Sequence, residues 1–245
     1  DSVVVLAEDT AFGGAITGLV TDALAPVAGI EVKDVITYDV NTVDFGPIFS
    51  KAQASGADFI YQVSSVNSQV MSSQYVKLQV PMAMTGVNVS ALGMEYWEDT
   101  GGAGGGISTL SPVPSVGFEL DPVSAKFVED YQAKYTSRPS IPHFNGFNAY
   151  HGLKQAMAAA AEAGGFKDVK AWNAAMLKQD LKLEKDGKLW LRYGFWQHGE
   201  VEPVTGRTYP QNARFDLSAP YDDAQPSMVV IQWKEDGTVG VVYPF

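Results

Sequence analysis

One pattern governs the first hundred residues: a short apolar run rich in β-branched residues, a glycine-marked or polar turn, then apolar residues at helical spacing. Val3-Val4-Val5-Leu6-Ala7 begins it. A wholly apolar run of that length reads as a parallel strand covered on both faces. Ile16, Leu19, Val20, Ala23 and Leu24 follow at helical spacing, and Gly29 stands where a left-handed cap would end the helix. Glu31 to Tyr38 predicts a second strand, and Phe45, Ile48, Phe49 and Ala52 a helix ending at Gly56. Phe59 to Val63 predicts a third strand, followed by a helix through Val66, Val70, Met71 and Tyr75. Pro81 to Thr85 and Ile107 to Leu110 supply strands four and five. Alternation of this kind forces a parallel sheet with right-handed crossovers. The expectation is an α/β unit of five parallel strands with helices on both faces, which Ser108 to Pro114 leave for another part of the molecule.

Beyond residue 112 the pattern stops. Pro112, Pro114 and Pro122 punctuate a connection, with Asp121 placed to cap a helix that Pro122 begins. Helices are expected at about 122–135, 145–163 and 168–177, the first carrying Phe127, Tyr131 and Tyr135 on one face. In the second, Tyr150, Leu153, Met157 and Ala160 form the inward stripe. Three successive helices need a second sheet to bury such stripes, and no strands before them supply one. Residues 180–225 are polar and turn-rich, with short strands expected at Leu189 to Leu191 and Ala213 to Phe215. Near the end, Asp236-Gly237 between Met228–Trp233 and Val239–Tyr243 signals a hairpin.

Several chemistries are excluded. Net charge is −11, which disfavours nucleic acid and anionic membrane surfaces as partners. The absence of cysteine removes disulfides, thiolate metal sites and thiol nucleophiles. His143, His151 and His198 lack metal-ligand spacing, so no metal or cofactor is expected. Gly101-Gly102-Ala103-Gly104-Gly105-Gly106 leads into a strand rather than from a strand into a helix, the wrong order for a phosphate cradle, and reads as a flexible loop. Glu8-Asp9, just after strand one, would repel phosphate. No run is long enough to span a bilayer, and no pairing of acids, nucleophile and base specifies catalysis.

Five segments, in order, resemble the type I periplasmic solute-binding proteins of the branched-chain amino acid ABC transporter family, the leucine/isoleucine/valine-binding type. They are Val5-Leu6-Ala7-Glu8-Asp9-Thr10-Ala11-Phe12-Gly13; Asp44-Phe45 with Gly56-Ala57-Asp58-Phe59-Ile60; Gly86-Val87-Asn88; Tyr96-Trp97-Glu98-Asp99-Thr100-Gly101-Gly102; and Ile231-Gln232-Trp233 with Asp236-Gly237. The resemblance implies the type I periplasmic-binding-protein fold, here a parallel Rossmann-like sheet (lobe two) plus the helical C-terminal part of lobe one. Residues 1–112 would be lobe two, residues 113–225 a mostly helical return to lobe one, and residues 226–245 a hairpin rejoining lobe two. The family's N-terminal half of lobe one has no counterpart here, and it would be supplied as a preceding segment or a separate chain.

The resemblance further implies no enzymatic activity, a Gram-negative periplasmic location and a membrane permease of an ABC transporter as partner. The function would be capture of a small polar organic solute (an amino acid, amide or organic acid) by hinge closure of an interlobe cleft. In open α/β sheets, ligands lie beyond the strand carboxyl ends. Phe12, Ser64, Ser65, Asn67 and Asn88 occupy such positions and are the candidate ligand-binding residues. Phe12 reads equally well as a helix-start core residue, and the serines as helix caps. Where amino-acid binders of the family tend to carry an acid, Asn88 brings no charge, which points to an uncharged or acidic solute. The rival function is a ligand-sensing regulatory or receptor domain on the same fold, which the fold does not separate from transport.

Overall fold

A computed structural model of the chain describes residues 1–93, 95–112, 126, 129–131, 133–134, 142–185, 188–201, 208, 212–215 and 228–243. The predicted helix at about 122–135, with Phe127 and Tyr135, lies largely outside the described residues, as does the Asp121-Pro122 cap.

Strands β1 (Ser2–Glu8), β2 (Glu31–Tyr38), β3 (Phe59–Ser64) and β4 (Ala83–Asn88) form a parallel sheet in the order β2-β1-β3-β4. β1 is central, and every one of its residues is buried. Its period-two alternation serves two cores at once. Val4 and Leu6 join Ile60 and Met84 on one face, where α3 (Gly46–Ala54) and α4 (Ser68–Lys77) contribute Phe49, Ala52 and Met71. Val5 and Ala7 share the other face with Val63, and Ile16 and Val20 pack against them.

Ile16 and Val20 belong to one continuous rod: α1 (Ala11–Leu19), a π-helical turn over Val20–Leu24, and α2 (Ala25–Ala28), ended by Gly29 at φ 67°. Contrary to the sequence expectation, Ala11–Ala28 is long and apolar enough, by composition, to cross a bilayer. Its packing through Ile16 and Val20 makes it a covering helix of the sheet.

The fifth strand departs from expectation. β5 (Ser108–Pro112) is not laddered into the parallel sheet. Instead it pairs antiparallel with the strand Met228–Trp233, which in turn pairs with Val239–Tyr243 as the predicted hairpin. A short apolar run does not encode which strand it will pair with, and the partner here lies far downstream. β5 meets β4 through side chains: Asn88 N–H donates to Thr109 Oγ1 at 2.9 Å, and Gln62 Nε2 donates to Ser108 O at 3.3 Å. Ser108 to Pro112 is therefore a strand beside the first sheet, and the expected crossing continues into residues 113 and 114, which lie outside the described residues.

Trp233 is buried in the larger core, tilted against Tyr96 at 5.2 Å between ring centroids, with its Nε1–H on Ala91 O at 2.8 Å. Tyr96 belongs to the one-turn α5 (Tyr96–Asp99), and the glycine run that follows packs tightly on it. A Cβ on Gly104 would come within 2.6 Å of the Tyr96 ring and one on Gly105 within 3.0 Å of Glu235, so the middle of the run is close-packed, while Gly101 and Gly106 have open space around them.

Two further helices are α6 (Pro142–Glu162) and α7 (Val169–Met176), joined where Trp172 Nε1 donates to Ala156 O at 3.2 Å. Of the expected inward stripe of α6 only Ala160 is buried. His151, Gln155, Ala159 and Ala160 are buried, whereas Tyr150, Leu153 and Met157 are 43%, 61% and 60% exposed. The strands expected at Leu189 to Leu191 and Ala213 to Phe215 lie within β7 (Lys188–Trp196) and β8 (Asn212–Phe215), which with β6 (Leu181–Lys185) form an antiparallel sheet in a stretch otherwise expected to be turn-rich. The terminal hairpin strands are β9 (Met228–Trp233) and β10 (Val239–Tyr243).

Candidate functional site

The carboxyl ends of β1, β2 and β3 open onto one rim, and buried polar groups fix its loops. After β1, Thr10 caps α1: its Oγ1 accepts from Gly13 N–H at 2.9 Å. Gly13 lies so close to β1 that a Cβ there would meet Glu8 O at 1.9 Å. This puts Phe12 on the outer side of the first turn, 38% exposed. After β3, Ser65 is half-buried, and Asn67 is exposed in the left-handed region at φ 54°. Asn67 Nδ2 reaches Val40 O at 3.1 Å, tying this loop to the one after β2. Gln74 holds the latter from below, accepting from Phe45 N–H at 2.7 Å and donating to Val43 O at 2.6 Å.

Glu8 joins the β1 and β3 loops. Its side chain is buried, yet it accepts from four donors: Ser65 N–H at 2.7 Å, Val66 N–H at 3.0 Å, Thr10 Oγ1 at 3.0 Å and the Ser65 hydroxyl. Burial acts to raise the carboxyl pKa, but the Ser65, Val66 and Thr10 donors outweigh it and hold it below the ordinary 4.5. On the neighbouring strand, burial, partly offset by Ser64 and reinforced by the Glu8 charge, pushes the Tyr38 phenol up to about 12. Glu8 was absent from the sequence-derived candidates. Period two would have found it, because Glu8 shares the inner face of β1 with Val4 and Leu6 and so must bring its own partners.

Of the five candidates, Phe12, Ser65 and Asn67 reach the rim surface. Ser64 is buried, its hydroxyl directed to Val66 O at 3.4 Å, and neither serine caps α4, whose first flanking residue is Asn67. Asn88 is fully buried and its amide is saturated. Nδ2 donates to Gln62 Oε1 at 3.1 Å and Ser72 Oγ at 3.0 Å, while Oδ1 accepts from Ala91 N–H at 3.1 Å. This corrects the expectation that Asn88 lines a cleft. It lies on the same face of β4 as the core residue Met84, so the pleat points its amide inward. With its amide engaged inside the protein, Asn88 gives no indication of the charge of a solute.

Among the described residues, no group of three or more His, Asp or Glu side chains is placed to hold a metal ion. The exposed acids Asp9, Asp39 and Asp44 border the rim, and residues 9–12, 39–46 and 64–67 contain no Lys, Arg or His.

The sequence profile of the periplasmic binding proteins matches residues 1–197. The chain belongs to the periplasmic binding protein family. It is similar to Leu/Ile/Val-binding protein homolog 8 of Brucella abortus (strain 2308), 27% identical over 246 aligned positions, covering 85% of this chain and 54% of that protein. It is also similar to Leu/Ile/Val-binding protein homolog 7 of Brucella suis biovar 1, 25% identical with 99% and 55% covered. The chain thus spans about half the length of the curated relatives it matches. Solved structures share the fold. A leucine binding protein from Thermotoga maritima superposes with a TM-score of 0.65 at 19% identity, over 98% of this chain and 59% of its own. A solute-binding protein of an ABC transporter from R. palustris, in complex with benzoate, gives 0.67 at 17% identity, over 99% and 57%. These proteins are solute-binding proteins and not enzymes, and the type I periplasmic-binding-protein architecture is the fold of this chain.

Proposed function

We propose that the chain is the larger part of an extracytoplasmic solute-binding protein that delivers a small polar organic solute to the permease of an ABC importer, in the periplasm of a Gram-negative bacterium. In this reading residues 1–112 form lobe two and residues 113–225 return to lobe one. Residues 226–245, whose β9 pairs with β5, rejoin lobe two. The rim bearing Phe12, Ser65 and Asn67 is one wall of the cleft. The other wall belongs to an N-terminal lobe, carried as a preceding segment or a separate chain, and hinge closure between them buries the solute.

The observation that carries this reading is the exposed apolar face of α6, above all Leu153 and Met157. Tyr150, Leu153 and Met157 lie one turn apart and are all exposed. A stripe of this kind is buried in a finished soluble protein. The relatives that match the chain extend well beyond it.

Two preparations test the proposal. The full-length protein should bind a member of a panel of branched-chain amino acids, their amides and aromatic carboxylates in isothermal calorimetry, whereas residues 1–245 alone should self-associate and bind none. No binding by the full-length protein across the panel refutes the solute-binding role. A monodisperse 1–245 monomer that binds a solute with micromolar affinity refutes the missing lobe.

A further inference from the structure

The rim of the sheet carries a feature that solute binding as such does not demand: a buried carboxylate that gathers the donors of two loops from different strands. We infer that Glu8 is the positioning residue of this wall, an internal anion that ties the loop after β3 to the loop after β1 and thereby sets Ser65, Asn67 and Phe12 for the solute. The inference rests on the solute-binding reading above.

Three observations carry it. First, the partners of Glu8 come from both loops: the main-chain N–H of Ser65 and Val66 and the Ser65 hydroxyl from one, the Thr10 hydroxyl from the other. Second, Thr10 is also the cap of α1, through Gly13 N–H, so the Glu8 contact is continuous with the turn that presents Phe12. Third, beyond Glu8 only the Asn67 side chain ties the β3 loop to another loop of the rim. The left-handed Asn67 is a conformation a non-glycine residue adopts at a cost; its carbonyl accepts from Val70 N–H at 3.0 Å in the turn that opens α4, and its Nδ2 donates to Val40 O. Removing the Glu8 carboxylate leaves two N–H groups and two hydroxyls with no acceptor, and the loop is free to leave the geometry that aims Ser65.

Successive N–H groups of this kind are a cradle that elsewhere takes an anionic ligand. Here the cradle is already filled from within. The main chain of the β3 loop therefore has no donors left at Ser65 and Val66 for a solute carboxylate.

The test uses the full-length protein with Glu8→Gln, which keeps shape but turns a donor toward one of the two amides, and Glu8→Ala, which empties the site. Hydrogen exchange of the Ser65 and Val66 amides is followed without solute, and calorimetry follows the panel member that the parent protein binds. Both variants should lose protection at Ser65 and Val66 while the β1 and β3 amides stay protected, and affinity should fall about tenfold or more. Formate should restore protection and affinity to Glu8→Ala, with chloride at equal ionic strength as control. Parent-like protection in Glu8→Gln, or affinity unchanged despite lost protection, overturns the inference. A Glu8→Ala defect that formate leaves in place also overturns it, because the role would then be packing and not charge. If the parent protein binds no panel member, the solute-binding reading fails, and exchange alone still decides whether Glu8 ties the two loops.

Discussion

Replacing Asn88 with Ala removes an amide that three buried groups depend on. Ser72 Oγ loses a donor but keeps its own bond to Ser68 O at 2.8 Å, so its loss is small. Gln62 Oε1 and the Ala91 N–H lose the partner that Asn88 gave them. Each such group, stranded away from water, costs about 1–3 kcal/mol. Taking the lower half of that range for two groups gives about 3 kcal/mol. In a domain of this size that lowers the melting temperature by about 6–12 °C. Differential scanning calorimetry of the full-length protein reads the shift, and urea unfolding followed by near-UV circular dichroism checks the free energy. Solute affinity, measured well below the transition, should stay within about twofold, since the amide does not reach the rim. A melting temperature within about 2 °C of the parent would refute the saturated-network argument. A large loss of affinity in a variant of parental stability would place Asn88 at the solute after all.

Trp233→Phe strands the Ala91 carbonyl and loosens the contact with Tyr96, so urea unfolding should show a loss of about 2 kcal/mol; a change under about 0.5 kcal/mol contradicts it. Acid should loosen the rim only below the ordinary carboxylate range. Donors from Ser65, Val66 and Thr10 hold Glu8 below 4.5 against burial, and at the opposite end of the sheet Ser2 holds Asp58 below 3.8 through its hydroxyl and N–H. The stability these charged forms give is therefore fully present above pH 4.5 and is lost as pH falls through their folded values. Exchange protection at Ser65 should be flat from pH 7 to about 5 and collapse below about 4.5, and a collapse near neutrality would contradict the assignment. Phe12→Ala should lower solute affinity about tenfold in calorimetry with little change in melting temperature, because the ring is more than a third exposed; the reverse outcome makes Phe12 a core residue.

The parallel sheet was legible because each of its strands carries its own signal. β1 is apolar on both faces, and Gly29 and Gly56 mark the ends of the helices that follow β1 and β2. β5 was legible as a strand but its pairing was not, since Ser108–Pro112 reads the same whether its partner is β4 or β9. The candidate residues were chosen by position in the chain, at strand ends. Position alone picks Ser65 and Asn67, which reach the surface, and equally picks Ser64 and Asn88, which the pleat turns inward. Strand parity, already present in the alternation of Met84, Gly86 and Asn88, separates the two groups. The α6 stripe was found by its spacing but assigned an inward orientation, because spacing marks a face without saying what covers it.

The Trp233 bond to Ala91 closes a loop of 142 residues. At about 5–20 residues per second, the ribosome takes roughly 7–30 s to travel from one end of that bond to the other. Throughout that interval β1 to β4 are already synthesised, while Tyr96, the Ala91 carbonyl and the free edge of β5 wait for their partner. A nascent chain in this state shows water an unpaired strand edge beside an aromatic pocket, the combination that chaperones bind and that neighbouring chains invade. The step that completes this sheet is thus the arrival of β9, and truncations that remove β9 should leave a collapsed, sticky intermediate rather than a smaller native protein.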